Sequence, residues 1–229
     1  MLPTYEEFKL RADAVRSRIA AACVRAHRDP AGVELLAVTK SHSAAAVDLA
    51  ARYGLRAVGE NRVQEGAEKR AQSSAAVAWE LIGHLQSNKA RLAVRHFDRI
   101  QSADSERLLE VLDRVAGEAG KTQAVLLQVN AGLDPAKSGA EPGDAPRLLA
   151  AALAKANLRV DGLMTIAPLS DDPDVARRTF ATLRELRDRL ATGAQLAVLS
   201  MGMSADLEAA VAEGSTMVRI GTALFGSRE

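Results

Sequence analysis

Short apolar runs alternating with helical stretches constrain this chain more than any other feature. The candidate strands are residues 35–39, 57–59, 80–83, 99–102, 124–130, 160–165, 196–200 and 217–220. From Glu34 to Met217 the repeat averages roughly 26 residues, the unit of an eightfold β/α barrel. The expected fold class is therefore α/β, a (β/α)8 TIM barrel. The expected domain spans residues 1–229, with a helix in 1–30 and the barrel in 34–226. A doubly wound open sheet alternates in the same way, and the count of eight strands is what favours closure.

The first helix carries its own signals. Thr4 and Glu7 form a capping-box pair, and Phe8, Ala12, Val15, Ile19 and Cys23 follow at helical spacing before Asp29-Pro30 stops the run. Ser43, Asp144 with Pro146, and Asp172-Pro173 read as starts of later helices. Cys23 is the only cysteine, so a disulfide within the chain and a cysteine-based metal site are excluded, and its stripe position makes it a packing residue. A net charge of +1 with 3% aromatic residues argues against a nucleic-acid surface. An acidic N-terminus and the absence of a long apolar run predict neither a signal peptide nor a membrane span, hence a cytoplasmic protein.

Chemistry concentrates at three strand ends. Lys40 closes the run Glu34-Leu-Leu-Ala-Val-Thr-Lys40, and by alternation it shares a face with Leu36 and Val38. If that face points into the barrel, Lys40 stands at the mouth, where barrel enzymes place their sites. There it loses solvation and offers more of its neutral amine to an aldehyde. At the seventh strand, Ser200 lies on the Leu196/Val198 face, Gly202 permits close backbone approach, and Ser204 is expected to cap a helix. After the eighth strand come Gly221 and Thr222. Loops after strands seven and eight often bind phosphate in barrels. One amine for an aldehyde and one nest for a phosphate describe a site for pyridoxal 5′-phosphate (PLP). Arg219, facing with Met217 and Gly221, would donate to the pyridine nitrogen and keep it unprotonated. An aspartate there would instead protonate the ring and strengthen its electron-sink behaviour.

The chain resembles the pyridoxal phosphate homeostasis protein family. The resemblance rests on Ala37-Val-Thr-Lys40, Gly59-Glu-Asn-Arg-Val-Gln-Glu65, Leu81-Ile-Gly-His-Leu-Gln-Ser-Asn-Lys89, Lys137-Ser-Gly139, Gly162-Leu-Met-Thr-Ile-Ala-Pro168 and the stretch 199–226. It implies a barrel like the N-terminal domain of alanine racemase, the PLP fold-type III arrangement, with PLP covalent on Lys40 as an internal aldimine. It also implies phosphate contacts from the Ser200–Ser204 segment and Gly221-Thr222, a ring-nitrogen contact from Arg219, and Asn61 beside the ring. Two stretches depart from the family pattern: Ser41-His42-Ser43 after the lysine, and Arg62 where tyrosine is frequent.

Carrier and enzyme are the competing functions. The resemblance implies a role in intracellular PLP (vitamin B6) homeostasis and supply without robust catalysis, with apo PLP-dependent enzymes as recipients and a monomeric state. The alternative is a small PLP-dependent amino-acid racemase, which needs acid/base groups on both faces of the substrate carbon. Lys40 serves one face. Tyr5 and Tyr53 lie away from the strand mouths, and 229 residues leave no room for the β domain that supplies alanine racemase's tyrosine. His84 is a substitute base or, more simply, a structural or ring-contacting histidine. A third reading is a cofactor-free Schiff-base aldolase acting on a phosphosugar through Lys40. Lys89 and Lys137 read as solvated lysines or a second weak anion site, Met201 and Met203 as loop packing, and Trp79 as a packing residue. No metal site is expected.

Overall fold

A computed structural model describes residues 2–191 and 196–226. The ends of the expected 1–229 domain and residues 192–195 lie outside the described residues. The strands are β1 (Glu34–Val38), β2 (Ala57–Glu60), β3 (Ala78–Leu81), β4 (Arg99–Ala103), β5 (Gln123–Gln128), β6 (Leu158–Met164), β7 (Val198–Ser200) and β8 (Met217–Ile220). All neighbouring pairs are parallel, and β1 pairs with β8 through Leu36↔Arg219, so the sheet closes into a barrel. The open-sheet alternative is excluded.

Helices α1 (Tyr5–Arg25), α2 (Ala45–Arg52), α3 (Val63–Gln72), α4 (Ala90–His96) and α5 (Glu106–Glu118) belong to the first half. The second half carries α6 (Ala145–Leu153), α7 (Pro173–Leu190), α8 (Leu207–Ala212) and α9 (Thr222–Phe225). Strand alternation separates two cores. Leu35 and Ala37 pack toward the helices, whereas Leu36 and Val38 join Ala57, Ile82 and Met217 inside the barrel.

The capping box of α1 is present, and its predicted stripe of Phe8, Ala12, Val15, Ile19 and Cys23 is buried. This helix packs on α8 and α9, covering the gap that the four-residue α9 leaves after β8. The Phe8 ring meets those of Tyr53 and Phe225, and Arg11 Nη1 donates to the Leu224 carbonyl at 3.4 Å. Trp79 is buried, as its reading as a packing residue requires. Asp172 caps α7 by accepting from the Asp174 amide at 2.9 Å.

Two expected caps are corrected. Helix α2 begins at Ala45 behind Ala44, and Ser43 contributes only its carbonyl, which accepts from the Ala46 amide. Helix α8 begins at Leu207 behind Asp206, whose carboxylate accepts from the Met203 amide, so Ser204 sits in the preceding turn. In both places a turn separates the strand from its helix and moves the start past the serine. Asp144 stands before α6 with a helical backbone and makes no side-chain cap.

Among the described residues no helix is long and apolar enough to cross a membrane.

Candidate functional site

A cavity of about 450 Å3 opens at the C-terminal end of the strands and is lined by Lys40, Asn61, Ser204, Arg219, Gly221 and Thr222, among others. Such a volume suits a small cofactor. Lys40 is the second residue after β1, Asn61 follows β2 directly, and Arg219 lies within β8 facing inward with Met217. Amine and expected phosphate nest therefore share one chamber.

The turn bearing Lys40 is fixed from outside the barrel. Thr39 Oγ1 donates to Glu60 Oε1 at 2.6 Å, and buried Lys69 Nζ donates to the Thr39 carbonyl at 2.8 Å. Lys69 also reaches Glu60 Oε1 and Glu65 Oε1, both at 2.7 Å, while the Ser41 amide donates to Glu65 Oε1. Ser41 takes the left-handed conformation, φ 64°, which turns the chain away after Lys40. Burial drives the Glu60 carboxyl above its usual range, against hydrogen bonds from Lys69 and Thr39. Burial also raises Glu65, but Lys69 and the Ser41 amide outweigh it and leave that carboxyl below its usual range.

On the neighbouring strand β8, Arg219 is almost fully buried. Its Nη1 donates to the Ser200 carbonyl (2.7 Å) and hydroxyl (2.8 Å), and Nη2 donates to the Thr165 carbonyl (2.8 Å). These partners are neutral, so hydrogen bonds to backbone and hydroxyl oxygens hold it, with no salt bridge to a helix carboxylate among the described residues. Burial pulls the guanidinium down to about 10, still cationic at neutral pH.

Ser200 and Gly202 do not line the cavity. Ser200 is buried and bonded to Gln101 and Arg219. Gly202 has φ +95°, and a Cβ there would lie 2.4 Å from the Ala210 Cβ, so glycine lets α8 pack closely. Its carbonyl accepts from the Arg219 amide at 2.9 Å.

His84 and Lys137 line the cavity, whereas Lys89 lies in a 3-10 turn (Ser87–Lys89) and is not among the lining residues. The His84 Nδ1 is 3.4 Å from Asp104 Oδ2. Met201 is buried, and Met203 reaches the cavity wall. Arg62 is an exposed residue at the start of α3, and His42 packs its ring 5.1 Å from that of Phe225. Neither family departure touches the lining.

Sequence reasoning missed Gln128, Ser138 and Ile166. Gln128 ends β5, and a polar residue closing an apolar strand was the available signal. Its Nε2 donates to the Ser138 carbonyl at 2.7 Å, and its buried Oε1 has no partner among the described residues. A primary amine, a cationic donor, two glycine-turn segments and an unsatisfied acceptor fit a small anionic aldehyde such as PLP.

Residues 10–229 match the family described as alanine racemase, N-terminal domain. The pyridoxal phosphate homeostasis protein of Pseudomonas aeruginosa is 44% identical over 216 residues, covering 94% of this chain and 93% of the relative. The structure of PipY from Synechococcus elongatus PCC7942 with PLP bound is 43% identical, with TM-score 0.81, and covers 93% of this chain and 100% of that one. An alanine racemase of Clostridium difficile 630 is 14% identical with TM-score 0.79, over 97% of this chain and 57% of its own, a likeness of fold alone. With the sequence match and the closed barrel in agreement, this chain belongs to the pyridoxal phosphate homeostasis protein family, built on the alanine racemase N-terminal barrel.

Proposed function

We propose that this chain binds PLP covalently through Lys40 as one barrel domain and acts in intracellular vitamin B6 homeostasis, holding and supplying the cofactor without robust catalysis. The observation that carries this reading is the single chamber shared by Lys40, Arg219 and the Gly221–Thr222 turn, in a family with a relative described as PLP-bound. PLP supplies an aldehyde that a primary amine captures reversibly.

Each wall has a task in this reading. Lys40 presents its amine at the barrel mouth. Ser204, Gly221 and Thr222 offer hydroxyl and amide donors to the phosphate, and Asn61 lies beside the ring. Arg219 donates toward the pyridine nitrogen and, as a cation, opposes its protonation. Ser200 and Gly202 act one layer back, through the guanidinium and backbone of Arg219.

The carrier reading is favoured over racemase by the second face of the cavity. No tyrosine is among the lining residues. Tyr53, at the end of α2, donates its hydroxyl to Asp13 at 2.6 Å, and burial with that bond pushes it up to about 12. The protein acts as a cytoplasmic monomer that passes PLP to apo-enzymes. PLP transfer to an apo-enzyme and hydrogen exchange at the amino-acid Cα in D2O, measured on one preparation, test this. Transfer without exchange is expected, and sustained exchange with some amino acid would make it a racemase.

A further inference from the structure

Behind Arg219 a file of polar side chains runs down the barrel interior. Arg219 Nη1 donates to Ser200 Oγ at 2.8 Å, Ser200 Oγ donates to Gln101 Oε1 at 2.6 Å, and Gln101 Nε2 donates to Glu80 Oε2. Arg99 closes the far end, giving Glu80 a fork of two hydrogen bonds, and its Nη1 lies 3.5 Å from Asp161 Oδ2. All four members are buried, Glu80 and Arg219 at 3% and 4% exposure and the two between them at 0%.

The chemistry of the ends dictates the sense of every link. A guanidinium only donates and a carboxylate only accepts. Ser200 and Gln101 must therefore each accept on the Arg219 side and donate on the Glu80 side. Were the Ser200 proton reversed, it would point at a cation and leave the buried Gln101 carbonyl without its donor. Barrel interiors are usually filled with Val, Ile and Leu, and packing alone does not call for this file. Its effect is to tie a buried cation, through two neutral groups, to a carboxylate that Arg99 also pairs, adding to the favourable pull of Asp206.

We propose that Gln101 and Glu80 are positioning residues for Arg219, fixing the Ser200 hydroxyl as an acceptor and so holding the guanidinium toward the cavity. The consequence for the cofactor rests on the PLP reading above, whereas the file belongs to the protein alone.

The test compares the parent with Gln101→Met, Ser200→Ala and the exchange variant E80Q/Q101E, which restores an acceptor for the Ser200 hydroxyl and keeps one negative charge. The 15N–1H guanidinium signals of Arg219, without PLP, should be slowly exchanging in the parent, averaged in Gln101→Met and Ser200→Ala, and recovered in the exchange variant. With PLP added, release should be about tenfold faster in Gln101→Met, the effect of weakening one charge-assisted bond. Unchanged Arg219 signals in Gln101→Met would overturn the proposal. If that variant does not fold, unchanged signals in Ser200→Ala overturn it equally. Averaged signals with unchanged PLP release would support the positioning role while contradicting contact between Arg219 and the ring.

Discussion

At the scale of the residue, Lys40 owes its placement to neighbours that never meet the cavity. Thr39 and Ser41 are tied to Glu60, Lys69 and Glu65, and this small network sets the direction in which the amine leaves the strand. Glu60 is its costly member, with one oxygen bonded twice and the other, Oε2, buried without a partner among the described residues. Because burial raises its carboxyl, its favourable contribution is complete below the ordinary value of 4.5 and is lost as pH rises through the folded value. Glu60→Gln keeps an acceptor for Thr39 and Lys69 but has no charge to bury. Its stability relative to the parent should therefore improve as pH climbs from about 4 to about 8. Denaturant unfolding at both ends of that range checks this, and a constant or falling difference would contradict it.

At the scale of the element, loops after neighbouring strands are keyed together by close backbone contact. Gly83 follows β3 and lines the cavity, and a Cβ on it would lie 2.1 Å from the carbonyl oxygen of Asn61 after β2. Gly83→Ala must push the Asn61 loop aside, which costs about 1–3 kcal/mol as overpacking. It should also weaken PLP retention, and thermal unfolding with a PLP release rate measures both. Full stability in this variant would mean that the two loops do not touch. Helix starts were the least legible elements. Ser43 and Ser204 have the residue type of a cap, but the turns that carry the chain off β1 and β7 run past them. Strand ends shifted for a related reason: 80–83 was expected where β3 is Ala78–Leu81, because Ile82 and Gly83 are apolar or small for the sake of the cavity and the Asn61 loop.

At the scale of the molecule, the closed barrel was legible because parallel strands buried on both faces read as regularly spaced apolar runs. The meeting of Lys40 with Arg219 was also legible, since strand alternation places both inside and first and last strands become neighbours on closure. The file through Gln101 and Glu80 was not, because it depends on which interior positions of β3, β4, β7 and β8 face one another, and that follows from register. Gln128 was hidden likewise, its role arising only from the carbonyl of Ser138 across a loop. Helix α1 then binds the ends together, its Phe8 against Phe225 at the close of α9, about one helical turn past Gly221 and Thr222 in sequence. The whole architecture thus brings one amine to the turn at Gly221 and Thr222 that is proposed to hold the phosphate. Absorption spectra of the purified protein with PLP, before and after borohydride and in parallel with Lys40→Ala, test that most directly. A reducible covalent adduct in the parent that is absent from Lys40→Ala is the predicted result, and an undiminished adduct in the variant would contradict it.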